Sequence, residues 1–317
     1  MFLNSRTHHK KLLRDRFLTE KKSSLRIISS ARSRGLVATI SQPSDQIRMN
    51  IHEPLLTVFM PHYRCEQYIR QAAESVLQQS YRNFRLVIVD DASPTDAWIE
   101  TLRPVLKDPR ISLFHSTENV GPYRLFNRIL PHITTPWIAF HDSDDLSHPD
   151  RFKLQLHYGK RTQADIVCCN FYRTTENGDV ISSHNLAVDA NRQLDRGRKF
   201  VGLHSTIMAK RVVFEALKGF DGTTRFGADT EFLLRAARLY RIRNLRRYLY
   251  YYRQRSTSLT GQGDTGIGSP ARRAYGYTVY KRNYRWQQIR TTATLMRALR
   301  AAPNNVDFRL HPVTVDA

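Results

Sequence analysis

Residues 140–152 read "FHDSDDLSHPDRF" and place Asp142, Asp144 and Asp145 within four positions. Carboxylates this dense suit three uses. They can bind a hard divalent cation such as Mg²⁺ or Mn²⁺ through oxygen. They can form a general acid/base pair. Or they can satisfy backbone amides in a polar turn that caps a helix at Pro149. Further reactive groups recur at comparable places. "LLTVFMP" is followed by Pro61, His62, Tyr63 and Arg64, and "FRLVIVD" ends in Asp90 and Asp91, with Ser93 close by. Asp229 opens "DTEFLLRAARLY", where the positive end of a helix dipole favours an ionised carboxylate. Glu231 competes with it as a base.

The elements that carry these groups follow from the hydrophobic pattern. "LLTVFMP", "FRLVIVD", "ISLFH" and "WIAFHD" are short apolar runs of the kind buried in parallel sheets. Between the first two, Ile69, Ala72, Ala73, Val76 and Leu77 fall on one helical face. Residues 122–131 read as a helix that starts on one proline and stops before the next. "DIVCCNFYR" is a fifth strand, "ENGD" a hairpin turn, and residues 203–209 ("LHSTIMA") a further strand. Helices follow near 211–217 and 229–240. This alternation predicts an α/β sheet, parallel in its first half and mixed later. Ligands of such sheets sit outside the carboxyl ends of the strands, where the acidic clusters fall. Two like-charged clusters at one edge call for a cation or hydrogen-bond donors between them.

Several segments, in order, resemble glycosyltransferase family 2. Residues 55–96, "LLTVFMPHYRCEQYIRQAAESVLQQSYRNFRLVIVDDASPTD", are similar to its opening P-x-Y-N and D-D-x-S-x-D pattern. "ENVGPYRLFN" resembles its N-x-G-x-x-x-A-x-N segment, and "WIAFHDSDDLSHPDRF" its D-x-D region. "STIMAKRVVFEALKGFDGTTRFGADTEFLLR" resembles the block ending in Glu-Asp, and "YYRQRSTSLT" the Y-R-x-H-x-x-S-x-T segment. The match has departures: Arg64 stands for its Asn, and Ala228 for the Glu before Asp229. The Q-x-x-R-W motif of processive synthases has no counterpart.

The resemblance implies a GT-A fold, a Rossmann-like, mostly parallel mixed sheet flanked by helices. It implies a metal-dependent, inverting transfer from a nucleotide sugar, UDP-linked by preference, to a saccharide or lipid-linked acceptor in polysaccharide, capsule or lipopolysaccharide synthesis. In that reading Asp144 and Asp145 hold Mn²⁺ or Mg²⁺, and Asp142 is the first acid of D-x-D. Pro61, Tyr63, Asp91, Arg124, Asp142 and Asp144 contact the donor, with Asp91 at the base and Arg124 at the diphosphate. Asp229 is the general base. Each position also has a plain structural use: a capped turn for 142–145, a loop cap for Asp90-Asp91, a solvated arginine at 124. His204 reads as a core histidine.

The chain has 317 residues, and its charge is concentrated at its ends. Residues 1–50 hold 11 Lys/Arg against 3 Asp/Glu, and residues 235–300 hold 16 against 1, while 51–234 balance at 22 each. The expected organisation is a basic arm at 1–50, a glycosyltransferase domain at 51–260 and a basic extension at 261–317. The donor half of that domain spans about 51–150, the acceptor half about 151–260. Basic ends suit an anionic membrane surface or a solvated face ahead of nucleic acid. The 1–50 arm also fits an organellar transit peptide. No apolar run approaches a membrane span or a secretory-signal core, and Cys65, Cys168 and Cys169 form no disulfide framework. A cytoplasmic enzyme resting on the inner membrane face is therefore expected.

The alternatives are a basic nucleic-acid-binding protein, using Tyr248, Tyr250 and Trp286 among its arginines, and a GT-A nucleotidyltransferase. The second lacks a Gly-rich loop after strand one, because "PHYRCEQY" has no glycine. "GQGDTG" (261–266) matches a dinucleotide fingerprint only in letters, since no strand leads into it.

Overall fold

β1 (Leu56–His62) is buried along nearly its whole length, as a strand covered on both faces must be. β2 (Phe84–Asp90), β3 (Ile111–Ser116) and β4 (Trp137–Phe140) run parallel with it in the order β3-β2-β1-β4. The computed structural model describes residues 55–198, 200–289, 291–300 and 308–315. The arm expected at 1–50 lies outside the described residues.

α1 (Glu66–Leu77) links β1 to β2 and buries Ile69, Ala72, Ala73, Val76 and Leu77, the expected apolar face. α2 (Ala97–Leu102) follows β2, and α3 (Pro122–Ile129) precedes β4. Leu56, Val58 and Met60 of β1 meet the α1 face and Trp98 of α2 in one apolar core. The chain runs outward from β1 to β3, then returns to place β4 on the other side of β1. That reversal is the crevice where ligands of open α/β sheets bind.

Beyond β4 the sheet is mixed. β8 (Met208–Lys210) pairs antiparallel with β4 and with β6 (Ile166–Thr174). β7 (Val180–His184) forms the expected hairpin with β6. β9 (Ile242–Arg253) runs parallel to β6 and carries the short β5 (Leu146–Ser147) on its far side. α4 (Arg151–Thr162), α5 (Ala190–Asp195), α6 (Arg211–Leu217) and α7 (Ala228–Ala236) complete this half. α8 (Pro270–Gln288), α9 (Thr292–Ala298) and β10 (Leu310–Pro312) come from residues 261–317, and β10 pairs with β3 in the same sheet.

One expected strand is corrected. Of residues 203–209 only the last two enter β8, because 204–206 form a 3₁₀ turn. Thr206 Oγ1 donates back to the Leu203 carbonyl, the local bonding by which a threonine competes with a ladder.

Much of the positive charge of residues 235–300 is used internally. Arg235 donates to the carbonyls of Leu217, Gly219 and Leu299 and pairs with Glu231 at 2.7 Å. Arg238, Arg243 and Arg282 pair with Asp195, Asp189 and Asp221. Tyr250 and Trp286, two of the aromatics a nucleic-acid surface would need, are buried.

Candidate active site

The carboxyl end of β1 leaves Pro61 half-buried and Tyr63 39% exposed. Arg64 has φ of 49° and lies over the Tyr63 ring, 5.5 Å from its centroid. Its backbone N–H donates to Ser93 Oγ at 3.2 Å, joining the loops after β1 and β2.

Asp90 and Asp91 divide at the end of β2. Asp90 Oδ2 accepts from the Ser93 amide and meets His115 Nδ1, both at 2.9 Å. Asp91 accepts the Val120 and Gly121 amides at 2.7 and 2.8 Å, one on each oxygen. It thereby holds the "ENVG" loop, and Asn119 Nδ2 returns a bond to its carbonyl at 2.8 Å. Arg225, bonded to Asn119, reaches 3.7 Å from Asp91. Burial pushes the Asp91 carboxyl up to about 6, against these donors. Each carboxylate oxygen keeps a second lone pair for a ligand N–H. Gly121 has φ of 88°, and a Cβ there would lie 3.3 Å from Arg225, so glycine is required where the loop approaches Asp91.

Beyond β4 the three acids separate in role. Asp142 Oδ2 accepts from Ser205 Oγ, and its amide donates to the Tyr250 hydroxyl at 3.1 Å. Asp144 Oδ2 accepts from Arg255 Nε at 2.7 Å. Asp145 is fully buried: Oδ1 accepts the Arg253 amide at 2.7 Å, while Oδ2 makes no hydrogen bond of ordinary length and the Tyr250 hydroxyl beside the carboxyl favours its charged form. Burial raises both Asp144 and Asp145, and neighbouring acids add to it, while Arg255 opposes it at Asp144. A buried carboxylate oxygen without a hydrogen bond of ordinary length, among like charges, is the environment a hard cation relieves. Among the described residues no cluster of three or more His, Cys, Asp or Glu could hold a metal ion on its own. Asp144 and Asp145 are the residues that would hold a divalent cation here, with the rest of its ligands coming from outside the chain.

Arg151, which follows the turn, is fully buried and holds the loop in place. It donates to the carbonyls of Phe140 at 2.9 Å and Ser205 at 2.6 Å, to Ser147 Oγ, and to Gln155. The end of β4 and the 204–206 turn are thereby fixed to each other.

Asp229 lies in the first turn of α7, partly exposed, after Gly227. Tyr123 donates its hydroxyl to Asp229 Oδ1 at 3.1 Å. Burial, then the Asp229 charge, hold the Tyr123 phenol well above its ordinary pKa, so it stays a donor. Glu231 is 2% exposed and paired with Arg235, which removes it as a base. His204 packs edge-on against Tyr123 at 5.4 Å, and neither ring nitrogen has a partner. It is not the satisfied core histidine expected. A contact path therefore runs from Asp142 through Ser205 and its neighbour His204 to Tyr123 and Asp229. Arg124, expected at a diphosphate, donates Nε to the Gly222 carbonyl at 2.6 Å. "GQGDTG" is a turn-rich loop before α8, with no strand entering it.

The end of β9 and the residues just after it supply partners of the acids that the sequence did not place at this site. Tyr250, Arg253 and Arg255 meet Asp142, Asp145 and Asp144 respectively. They lie in "YYRQRSTSLT", which the sequence matched to a family segment without assigning these side chains a role at the acids.

Residues 57–227 match the model of glycosyl transferase family 2, more than half the chain. The chain belongs to that family. This family 2 chain is 39% identical over 166 residues to an uncharacterized glycosyltransferase of Haemophilus influenzae, covering 52% of this chain and 64% of the relative. It is 31% identical over 175 residues to the putative glycosyltransferase EpsE of Bacillus subtilis, covering 54% and 62%. It thus spans less than two thirds of either relative. Over 107 residues it is 36% identical to the putative teichuronic acid biosynthesis glycosyltransferase TuaG of B. subtilis, covering 33% and 42%. Solved structures share its GT-A fold. S. aureus TarS 1-349 in complex with UDP-GlcNAc superposes with a TM-score of 0.60 at 19% identity, over 77% of this chain and 70% of that one. The mannosyltransferase PcManGT of Pyrobaculum calidifontis, in complex with GDP-Man and Mn²⁺, gives 0.52 at 16% identity, over 81% and 76%.

Proposed function

We propose that the protein transfers a sugar with inversion from a nucleotide sugar, UDP-linked, to a hydroxyl of a saccharide or lipid-linked acceptor in polysaccharide synthesis. The observation that carries this reading is the path from the D-x-D acids to Asp229, held by Ser205 and Tyr123 at the strand-order switch. The UDP-GlcNAc bound in TarS, the GDP-Man and Mn²⁺ bound in PcManGT, and the name of TuaG support the donor class and setting.

Tyr63 and Pro61 border the base, and Asp91 offers its remaining lone pairs to it. Asp142 borders the donor beside Ser205. Arg124, one turn into α3, stays a diphosphate candidate through its terminal nitrogens. Asp144 and Asp145 hold Mn²⁺ or Mg²⁺, which when bound offsets the charge of the leaving diphosphate. Asp229 takes the proton of the acceptor hydroxyl as its oxygen bonds to the anomeric carbon. The bond from that carbon to the diphosphate breaks, and its electron pair leaves with the nucleotide. Tyr123 holds the Asp229 carboxylate in place throughout. Inversion needs no enzyme nucleophile.

Incubation with a panel of nucleotide sugars and Mn²⁺ tests the reading. Nucleoside diphosphate release from a UDP-sugar supports it. Salt-dependent nucleic-acid binding without nucleotide-sugar binding would reverse it, and the burial of Tyr250 and Trp286 disfavours that outcome.

A further inference from the structure

Arg255 is held on three sides. Nε donates to Asp144 Oδ2 at 2.7 Å, Nη2 to Cys65 Sγ at 2.9 Å and Nη1 to Thr257 Oγ1 at 3.0 Å. The guanidinium also lies 5.3 Å from the Tyr68 ring centroid. The side chains of Arg255 and Asp144 are only 8% and 14% exposed, so the pair is shielded from water. A shielded pair resists loss of one partner, because the other is left charged and uncompensated. Asp144 is also the acid through which a divalent cation would enter the cluster. A cation taking Oδ2 would set a dication beside a released guanidinium. Arginine cannot relieve that by deprotonating, unlike histidine, which the family pattern has at this position.

A nucleoside diphosphate changes the balance. Its oxygens neutralise an arriving cation and offer a guanidinium two parallel acceptors. We propose that Arg255 is a resident counter-ion of Asp144. It keeps a bare divalent cation off the acid cluster and yields the carboxylate only when cation and diphosphate arrive together. This rests on the nucleotide-sugar reading above, and it assigns Arg255 a positioning role.

The test is Mn²⁺ binding to the nucleotide-free protein, read by electron paramagnetic resonance of unbound Mn²⁺. Arg255→Gln should bind Mn²⁺ at least about tenfold tighter than wild type, roughly 1.4 kcal/mol. Adding Asp144→Asn to that variant should abolish the gain, and UDP should narrow the gap between Arg255→Gln and wild type. Arg255→Lys, whose single ammonium cannot span three partners, should give a smaller gain and serves if the glutamine variant does not fold. Equal Mn²⁺ affinity in wild type and the Arg255 variants would overturn the proposal, as would a gain that survives Asp144→Asn. If UDP and Mn²⁺ fail to bind together in any form, the nucleotide-sugar reading falls. The Mn²⁺ comparison without nucleotide still judges Arg255 as counter-ion separately.

Discussion

Tyr123, on the helix after β3, donates a 3.1 Å hydrogen bond to Asp229, in the first turn of a helix 106 residues later. The bond joins α3, before β4, to α7, after β8, and fixes one carboxylate oxygen. Tyr123→Phe keeps the ring contacts with His204 and Phe220 and loses only this donor. A hydrogen bond to a charged group contributes about 1.5–3 kcal/mol, so kcat should fall on the order of tenfold or more. UDP affinity by calorimetry should be unchanged. A loss of UDP affinity equal to the loss of kcat would instead place Tyr123 at the donor.

Arg151 should matter for stability rather than chemistry. Truncation to alanine leaves the Phe140 and Ser205 carbonyls without this donor and empties a buried site. The cost should be about 3–5 kcal/mol, read as a lowered urea midpoint. A loss under about 1 kcal/mol would mean that the loop is held elsewhere.

His62 makes stability depend on pH. It is 1% exposed with no hydrogen-bond partner at either ring nitrogen, and burial, then the Arg255 charge, lower its pKa from 6.5 to about 3. Between those values the unfolded chain binds a proton that the folded chain does not. The neutral, folded form is therefore favoured above 6.5, and this contribution is lost as pH falls towards 3. Asp91 acts with the opposite sign. Its carboxyl is raised from 3.8 to about 6, so folding gains as pH falls through that window. The difference between wild type and His62→Phe isolates His62. Wild type should lose up to about 3 kcal/mol more than the variant between pH 6.5 and 4, from chemical denaturation at each pH. Parallel curves would show that His62 is not buried neutral.

The reach of the sequence follows the same physics. β1 to β4 were legible because their short apolar runs, bounded by polar turns and separated by a helix-period segment, fit the buried strands of a parallel sheet. β9 was not, since "RNLRRYLYYYR" has no continuous apolar run and its arginines read as a charged surface. Arg253 and Arg255 became visible as partners of Asp145 and Asp144 only once β9 lay beside β6 and β5. Residues 203–207 were misread as strand because apolar content does not reveal a threonine bonded to its own backbone. Asp229 was legible from helix position, whereas Tyr123, 106 residues away, was not.

The acid cluster can be tested without disturbing its neighbours. Asp145→Asn keeps an acceptor for the Arg253 amide and replaces Oδ2 with an amide nitrogen. UDP affinity with Mn²⁺ should fall on the order of tenfold or more, while affinity in chelator changes little. Chelation of wild type should stop sugar transfer, and Mn²⁺ or Mg²⁺ should restore it. Equal loss with and without metal would move Asp145 from the cation to the fold.

In the proposed transfer Asp144 serves the donor while Asp229 removes the acceptor proton. Wild type, Asp144→Ala and Asp229→Asn, each with a UDP-sugar, Mn²⁺ and a saccharide acceptor, test it through UDP release and UDP calorimetry. Asp144→Ala should lose both release and metal-dependent UDP binding. Asp229→Asn should bind UDP as wild type does and release it at least about a hundredfold more slowly. Release at the wild-type rate by both variants would rule out these roles for Asp144 and Asp229.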